Sequence, residues 1–430
     1  MKFLFLSEAG AGLGIALRVL DEGNEVAMWI RGLDHQSIGD GLVPKVTDWK
    51  FSIDPETNII ADVNGFGCIM DALRLGGFPT ACGNVLADRL EADRKFADEV
   101  MHDCGIKTPK SWSFKDWDKA TDFVDEFEGR LVFKPTGDLS GVVPSYVSLG
   151  REDMLEVLDH AERKSYGEPE FELQEFLEGV ALSTEGWFNG LDFLKPFNHT
   201  IERKQLMNGD LGPSGGCAGN VVWARPDDCP LLCGMTKFLA GHHYIGPIDI
   251  NAIVTEDGKA YGLEFTPRLG YDAAPTLFLE LFDGEVGKFL SDLARDQSSV
   301  EMPLRPGFGA GVRVTLSPWP HKEGKSESGV TIRGLDKGDL NHFDPCSLML
   351  GSRKELVKAD GSNVVGVVTG HGDSVRSAFN KAYKIADKLK VPGKQYRSDL
   401  ADVVRDDLEK LGISEEEIAS GSARQGAEHL

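Results

Sequence analysis

The stretch from Pro247 to Asp272, PIDINAIVTEDGKAYGLEFTPRLGYD, decides how this chain is read. Two short alternating segments flank Glu256-Asp257-Gly258, a turn signal. Side chains alternate faces along a strand, so Ile248, Ile250 and Ala252 take one face and Asp249 and Asn251 the other. On the second strand Leu263 and Phe265 oppose Glu264 and Thr266. A two-residue loop at Asp257-Gly258 pairs Asn251 with Glu264 and Asp249 with Thr266. Slipping by two residues keeps these four on one face, whereas slipping by one mixes polar with apolar. Two acids and two neutral oxygen donors form a hard patch suited to Mg²⁺, which keeps several waters and shares phosphate oxygens. Arg268 follows at once and can hold an anion in a bidentate grip. The plainer alternative is a solvated strand face, because antiparallel sheets commonly wet one side.

Working outward, 430 residues make two or three domains with several buried cores. No stretch of about 18 apolar residues runs uninterrupted, so no transmembrane helix is expected. The start, MKFLFLSEAGAGLG, reads as a first strand entering a glycine loop rather than a signal peptide, and the protein as cytoplasmic. Seven scattered cysteines read as reduced and structural. A formal net charge of −23 repels duplex nucleic acid and anionic lipid, which favours small-molecule substrates.

Residues 1–85 alternate apolar strands with helices, the pattern of a parallel sheet. Strands are expected at Lys2–Ser7 and Glu25–Ile30, with a helix over Ile15–Glu22. Gly10-Ala11-Gly12-Leu13-Gly14 carries two glycines of a dinucleotide fingerprint, with Ile15 where the third would stand. Gly10 and Gly12 are therefore candidates for a phosphate-bearing substrate, or for packing alone. Leu86–Cys104 reads as one amphipathic helix carrying Lys95. A strand over 131–141 places Lys134 ahead of a glycine-containing loop, where a lysine can bridge phosphates. EFELQEFL, 170–177, is another strand. NGDLGPSGGCAGN, 208–220, reads as a lid or binding loop holding Asp210, Gly212, Pro213, Ser214, Gly215 and Gly216. Beyond the hairpin, a helix is expected over Thr276–Asp296, strands at Gly309–Leu316 and Gly361–Thr369, a helix over Ser374–Leu389, and a charged helical tail from Asp399 that frays at its end.

In order along the chain, RLEADRKFADEVMHDCGIKTP (89–109), LQEFLEGVALS (173–183), RKQLMNGDLGPSGGCAG (203–219), GLEFTPRLGYD (262–272), VVGVVTGHGDSVRSAFNKAYK (364–384) and YRSDL (396–400) resemble the phosphoribosylamine–glycine ligase family of the ATP-grasp superfamily. The resemblance implies an α/β chain with a parallel-sheet preATP-grasp domain over 1–85 and an ATP-grasp domain over 86–310, including a small lid at about 110–180. A β-rich C-terminal domain over 311–400 and a helical tail over 401–430 complete it. The implied activity joins glycine to 5-phosphoribosylamine through an acyl phosphate, in purine biosynthesis, using ATP and Mg²⁺, with Mn²⁺ able to substitute. By the same resemblance Lys95 and Lys134 contact phosphates, and Glu175, Phe176, Leu177 and Glu178 form the adenine hinge. Asp249, Glu264 and Thr266 hold metal, and Arg268 stands beside the reacting group. A monomer or homodimer is expected.

This chain departs from the family in four places. Thr266 stands where the family has Asn, with Asp249 as compensation. Ala181 stands where an acid binds the ribose, a contact that is missing or supplied by Glu178 or Glu185. Leu139-Ser140-Gly141 replaces a Gly-Lys-Gly lid loop, and Ser7-Glu8-Ala9-Gly10 replaces a Gly-Arg-Glu-His signature. These changes leave open a ligase joining another amino acid to another amine, a peptide or modified nucleoside. A nicotinamide-dependent oxidoreductase and a non-catalytic nucleotide-binding protein are the rivals from other classes.

Overall fold

The computed structural model describes residues 1–136, 139, 142–165, 169–295, 300–320 and 328–421. Ser140 and Gly141 of the altered lid loop, and the last nine residues of the tail, lie outside these.

The N-terminal sheet is parallel and four-stranded, in the order β2-β1-β3-β4, with β1 Lys2–Ser7, β2 Glu25–Ile30, β3 Thr57–Ala61 and β4 Thr80–Ala81. Helices α1 (Leu13–Asp21) and α2 (Gly67–Leu75) connect the strands. The expected single helix over Leu86–Cys104 is two, α3 Val85–Ala92 and α4 Arg94–Asp103. Asp93 separates them in an extended conformation, and its carboxylate accepts the Phe96 N–H at 3.1 Å. An aspartate in this setting caps a new helix in preference to continuing the old one.

A second, antiparallel sheet follows, in the order β5-β8-β6-β7. Its strands are β5 Ser111–Phe114, β6 Leu131–Pro135, β7 Tyr146–Val147 and β8 Phe171–Glu175. Helices α5 (Trp117–Glu126) and α6 (Arg151–Lys164) cover it. Phe133, Phe171 and Leu173 pack with Met154, Leu158 and Ala161 into a core of their own.

The largest sheet runs β13-β12-β9-β10-β11-β14-β18-β15, built from β9 Val180–Asn189, β10 Phe197–Gln205, β11 Ser214–Arg225, β12 Ile245–Val254, β13 Ala260–Thr266, β14 Phe308–Leu316, β15 Phe343–Pro345 and β18 Val364–Gly372. A separate hairpin, β16 Leu348–Leu350 with β17 Leu356–Lys358, lies outside it, and β19 Lys394–Gln395 pairs with β14. Strand β14 joins β11 to β18, so the boundary expected at 310–311 falls inside a strand of one continuous sheet. Short helices α7 (Pro230–Cys233) and α8 (Thr236–Gly241) precede β12, and α9 (Ala273–Thr276) follows β13. The helix expected from Thr276 breaks at Phe282, which turns extended, and resumes as α10 (Val286–Arg295). Helices α11 (Val375–Lys388), α12 (Leu400–Lys410) and α13 (Glu415–Ser420) complete the chain.

Two local findings shape the site. The central hairpin does pair Asn251 with Glu264 and Asp249 with Thr266, but by another route. Its turn has three residues, with Thr255 opposite Lys259 and Gly258 at φ +76°. A bulge between Asn251 and Ala252 then shifts the register back. The expected glycine-rich loop is mostly strand, because β11 begins at Ser214. Its glycines serve close approach. A Cβ on Gly219 would lie 2.3 Å from Leu400, and one on Gly215 would lie 2.6 Å from the Trp319 ring.

Candidate active site

Four strands of the large sheet supply a polar floor. Thr266, Asp249 and Glu185 stand in one cross-strand row, and Glu264, Asn251 and Ser183 in the next. The cleft above encloses about 170 Å³ and is also walled by Glu202, Lys204, Arg268 and Arg313. Asn251 knits the floor together: its Oδ1 accepts from Ser183 Oγ at 2.7 Å, and its Nδ2 donates to Thr266 Oγ1 at 3.3 Å. Asp249 Oδ1 is buried without a hydrogen-bond partner. Burial pushes this carboxyl well above the usual carboxylate range, and Glu185, Glu202 and Glu264 push the same way. Glu185, buried with one oxygen on Trp187 Nε1 at 3.1 Å, is raised by burial to about 7. Glu202 is raised by burial and then by Asp272. Like charges gathered in a poorly solvated cleft are relieved by a cation.

Whether Mg²⁺ suits this floor can be judged from its donors. Among the described residues no three His, Cys, Asp or Glu side chains stand close enough to hold a metal by themselves. Mg²⁺ needs only one or two carboxylates when phosphates and water complete its shell. The orphaned Asp249 Oδ1 and the exposed Glu264 carboxylate meet that requirement. Thr266 meets it less well, because its hydroxyl is engaged by Asn251.

The lid sheet faces the floor across the cleft. Lys134 on β6 has its proton affinity lowered by burial and then by Arg94, while Glu264, Asp98 and Glu172 oppose that shift. A lysine of the lid and a carboxylate of the floor are therefore electrostatic neighbours. On α4 two cations, Arg94 and the expected Lys95, edge a cavity against β6 and β8. Lys95 is exposed, in line with Glu99 and His102 on the solvent stripe. Arg94 turns inward beside Lys134, and its Nη1 is buried without a partner. The new helix start at Asp93 sets the stripe that turns Arg94 inward.

Residues 92–232 match the family described as phosphoribosylglycinamide synthetase, ATP-grasp (A) domain. A phosphoribosylamine–glycine ligase from Streptococcus pneumoniae strain R6 is 26% identical, over 93% of this chain and 99% of its own length. The solved phosphoribosylamine–glycine ligase of Thermotoga maritima superposes with a TM-score of 0.69 at 21% identity, covering 93% of this chain and all of that one. The biotin carboxylase domain of Hydrogenobacter thermophilus 2-oxoglutarate carboxylase, solved with MgADP, superposes with a TM-score of 0.64 at 12% identity. Residues 92–232 thus match an ATP-grasp domain, and the chain has the ATP-grasp fold. Its enzyme class is that of ligases forming C–N bonds.

In this ATP-grasp protein the remaining expected residues have distinct placements. At the hinge, Glu175 donates its N–H to Lys110 O and Phe176 donates its N–H to Arg130 O, both at 2.9 Å. The Lys110 N–H goes to the Glu175 carboxylate at 2.9 Å, and Arg130 stacks on Phe176 at 3.9 Å. Leu177 is half-buried and Glu178 exposed. Asp210 is committed elsewhere, to the buried Arg397 and, at 3.5 Å, to Arg203. Asp399 accepts the Gly209 N–H at 2.8 Å, so the C-terminal segment staples this turn down. Gly212 backs onto Met207, Pro213 lines a separate groove with Trp319, and Ser214 is exposed. Gly216 lines the cleft, and Gly215 reaches it through its carbonyl, which accepts from Arg313 Nη1 at 3.2 Å.

In the N-terminal loop the Gly12 N–H already donates to Asp62 Oδ2 at 2.6 Å, and the Gly10 N–H to Ser7 Oγ at 2.7 Å. Asp62 is buried, and burial raises it to about 6. A carboxylate thus fills the place where a dinucleotide pyrophosphate would lie. Sequence reasoning missed Arg94, Glu202, Asp272 and Arg313, and reached Glu185 only as a stand-in ribose contact, not as part of the floor. The alternation of Ser183 with Glu185 and of Thr200 with Glu202 was visible, but it joins the floor only once β9 and β10 are known to neighbour β12. No sequence signal pairs Asp272 with Arg313, whose guanidinium meets both carboxylate oxygens, one of them at 2.9 Å.

Proposed function

We propose that this protein is an ATP-dependent carboxylate–amine ligase that joins glycine to 5-phosphoribosylamine through an acyl phosphate, a cytoplasmic step of purine biosynthesis. The observation that carries the reading is the opposition of Lys134 and Arg94 on the lid side to Glu264 and Asp249 on the floor. Triphosphate chemistry needs that arrangement, with cations on one side and a metal platform on the other. The cysteines of the described chain are all free, which suits a reducing compartment.

In this reading the Glu175 carbonyl and the Leu177 N–H face adenine, since neighbouring hinge amides are spent on the lid sheet. Asp249 and Glu264 would hold Mg²⁺, which when bound neutralises phosphate charge as the γ-phosphoryl moves. The glycine carboxylate oxygen attacks the γ-phosphorus and ADP leaves. The amine nitrogen then attacks the acyl carbon, phosphate departs, and the amine gives up a proton. Arg94 and Lys134 draw the phosphates to the lid, and closure of the lid excludes water that would hydrolyse the acyl phosphate.

A second reading, a ligase using another amine, is favoured by one observation. Asp62 occupies the Gly12 N–H, so a substrate phosphate at that loop must displace a carboxylate. Mg²⁺-dependent ADP release tests both, with glycine or other amino acids and with phosphoribosylamine generated in place. Release requiring glycine and phosphoribosylamine supports the first reading, and release with a different pair supports the second. ATP binding without release under any pairing defeats both.

A further inference from the structure

Arg268 stands in the cleft wall with most of its hydrogen-bonding geometry already set. Its Nε lies 3.1 and 3.2 Å from the two carboxylate oxygens of Glu91, and its Nη1 donates to Leu269 O at 3.2 Å. Its guanidinium carbon lies 4.4 Å from the centre of the Tyr271 ring. A guanidinium has five N–H donors, so Glu91 and Leu269 use two and leave both Nη2 hydrogens and one Nη1 hydrogen. These form the forked end that takes two oxygens of a carboxylate or phosphate.

Glu91 is the last acidic residue of α3, the helix that also docks the N-terminal domain. On the same helix Asp88 accepts the Gly65 N–H at 2.6 Å and the Gly67 N–H at 2.8 Å. Glu91 itself accepts from Asn64 Nδ2, and Asn64 Oδ1 is buried without a partner. Asn64 lies just past β3, at the carboxyl ends of the parallel strands, where open α/β sheets place ligands. Asn64, Glu91, Arg268 and Tyr271 thus form a chain from the N-terminal domain to the floor of the cleft.

We propose that Glu91 is a positioning residue: it clamps Arg268 by Nε against Tyr271, turns the Nη1/Nη2 fork toward the substrate anion, and ties that setting through Asn64 to the N-terminal domain. The proposal rests on the reading of Arg268 as the arginine beside the reacting anion. A free arginine would lose rotamer entropy on binding, whereas a clamped one is already oriented.

Two measurements test it. The first needs no turnover: phenylglyoxal labelling of Arg268, followed by peptide mass spectrometry in wild type and in Glu91→Gln. The clamp predicts labelling several-fold faster in Glu91→Gln with an unchanged melting temperature, and equal labelling rates overturn it. The second is kinetic. Glu91→Gln should lower kcat about ten-fold with the KM for ATP nearly unchanged, and Glu91→Asp should recover part of the loss. Glu91→Gln placed on Arg268→Lys should add little, because residues acting as a unit are non-additive. Fully additive losses overturn the proposal. Altered labelling in a protein that releases no ADP with any substrate pair would uphold the clamp and defeat the ligase reading alone.

Discussion

Replacing Arg94 and Lys95 separately distinguishes the inward residue from the outward one. Arg94 Nη1 is buried and unpartnered, so under the proposed function a nucleotide phosphate would supply a bond that no described residue makes. A hydrogen bond to a charged group contributes about 1.5–3 kcal/mol. At about 1.4 kcal/mol per tenfold, Arg94→Ala should cost about 10- to 150-fold in kcat/KM for ATP. The lower part of that range is favoured, because Arg94 also depresses the proton affinity of Lys134. Removing it lets Lys134 hold its proton more firmly and recover some phosphate attraction. Lys95 is exposed, and Lys95→Ala should stay within about two-fold of wild type, as surface changes usually do. The assay is coupled ADP release over a range of ATP concentrations at saturating Mg²⁺. A larger loss in Lys95→Ala than in Arg94→Ala would refute the assignment of the inner stripe of α4.

Three further outcomes are expected. Glu264→Ala should abolish ligation, and Asp249→Asn should lower turnover and raise the Mg²⁺ requirement in a metal titration; unchanged Mg²⁺ dependence would remove Asp249 from the metal platform. Asp272→Asn strands the buried Arg313 guanidinium and should destabilise the protein by about 3 kcal/mol, read as the denaturant midpoint of the transition that exposes the large sheet. No shift would mean that Gly215 O and solvent satisfy Arg313. His342 Nδ1 lies 2.6 Å from Glu280 Oε1, and that hydrogen bond raises the imidazole above its ordinary value of 6.5. A raised folded value stabilises below the unfolded value and fades as pH climbs through the folded one. His342→Gln should therefore melt earlier than wild type at about pH 5.5 and alongside it at about pH 9, and a gap that widens with pH would contradict the pair.

The sequence by itself carried the architecture, because period and turn chemistry are local. The apolar run Lys2–Ser7 and the alternation through Ile248–Ala252 settle strand type and face without any partner. The shared face of Asp249, Asn251, Glu264 and Thr266 followed from alternation alone, whereas a three-residue turn and a bulge, not the expected two-residue loop, produce their pairing. The ordered motifs pointed to the ATP-grasp superfamily. What stayed hidden depends on which elements become neighbours. Asp93 ends one helix and caps the next, and that break turns Arg94 inward in place of Lys95. The glycines of 208–220 read as a lid or binding loop, and only the tertiary structure presses Leu400 on Gly219 and Trp319 on Gly215. Asp210 reads as a substrate contact in the sequence, and only the tertiary structure pairs it with Arg397, far along the chain. Glu185 and Glu202 join Asp249 only because β9 and β10 pair beside β12. Strand order and long-range charge pairing are set by burial and desolvation over the whole molecule, so only the tertiary structure decides which polar side chains share one cleft.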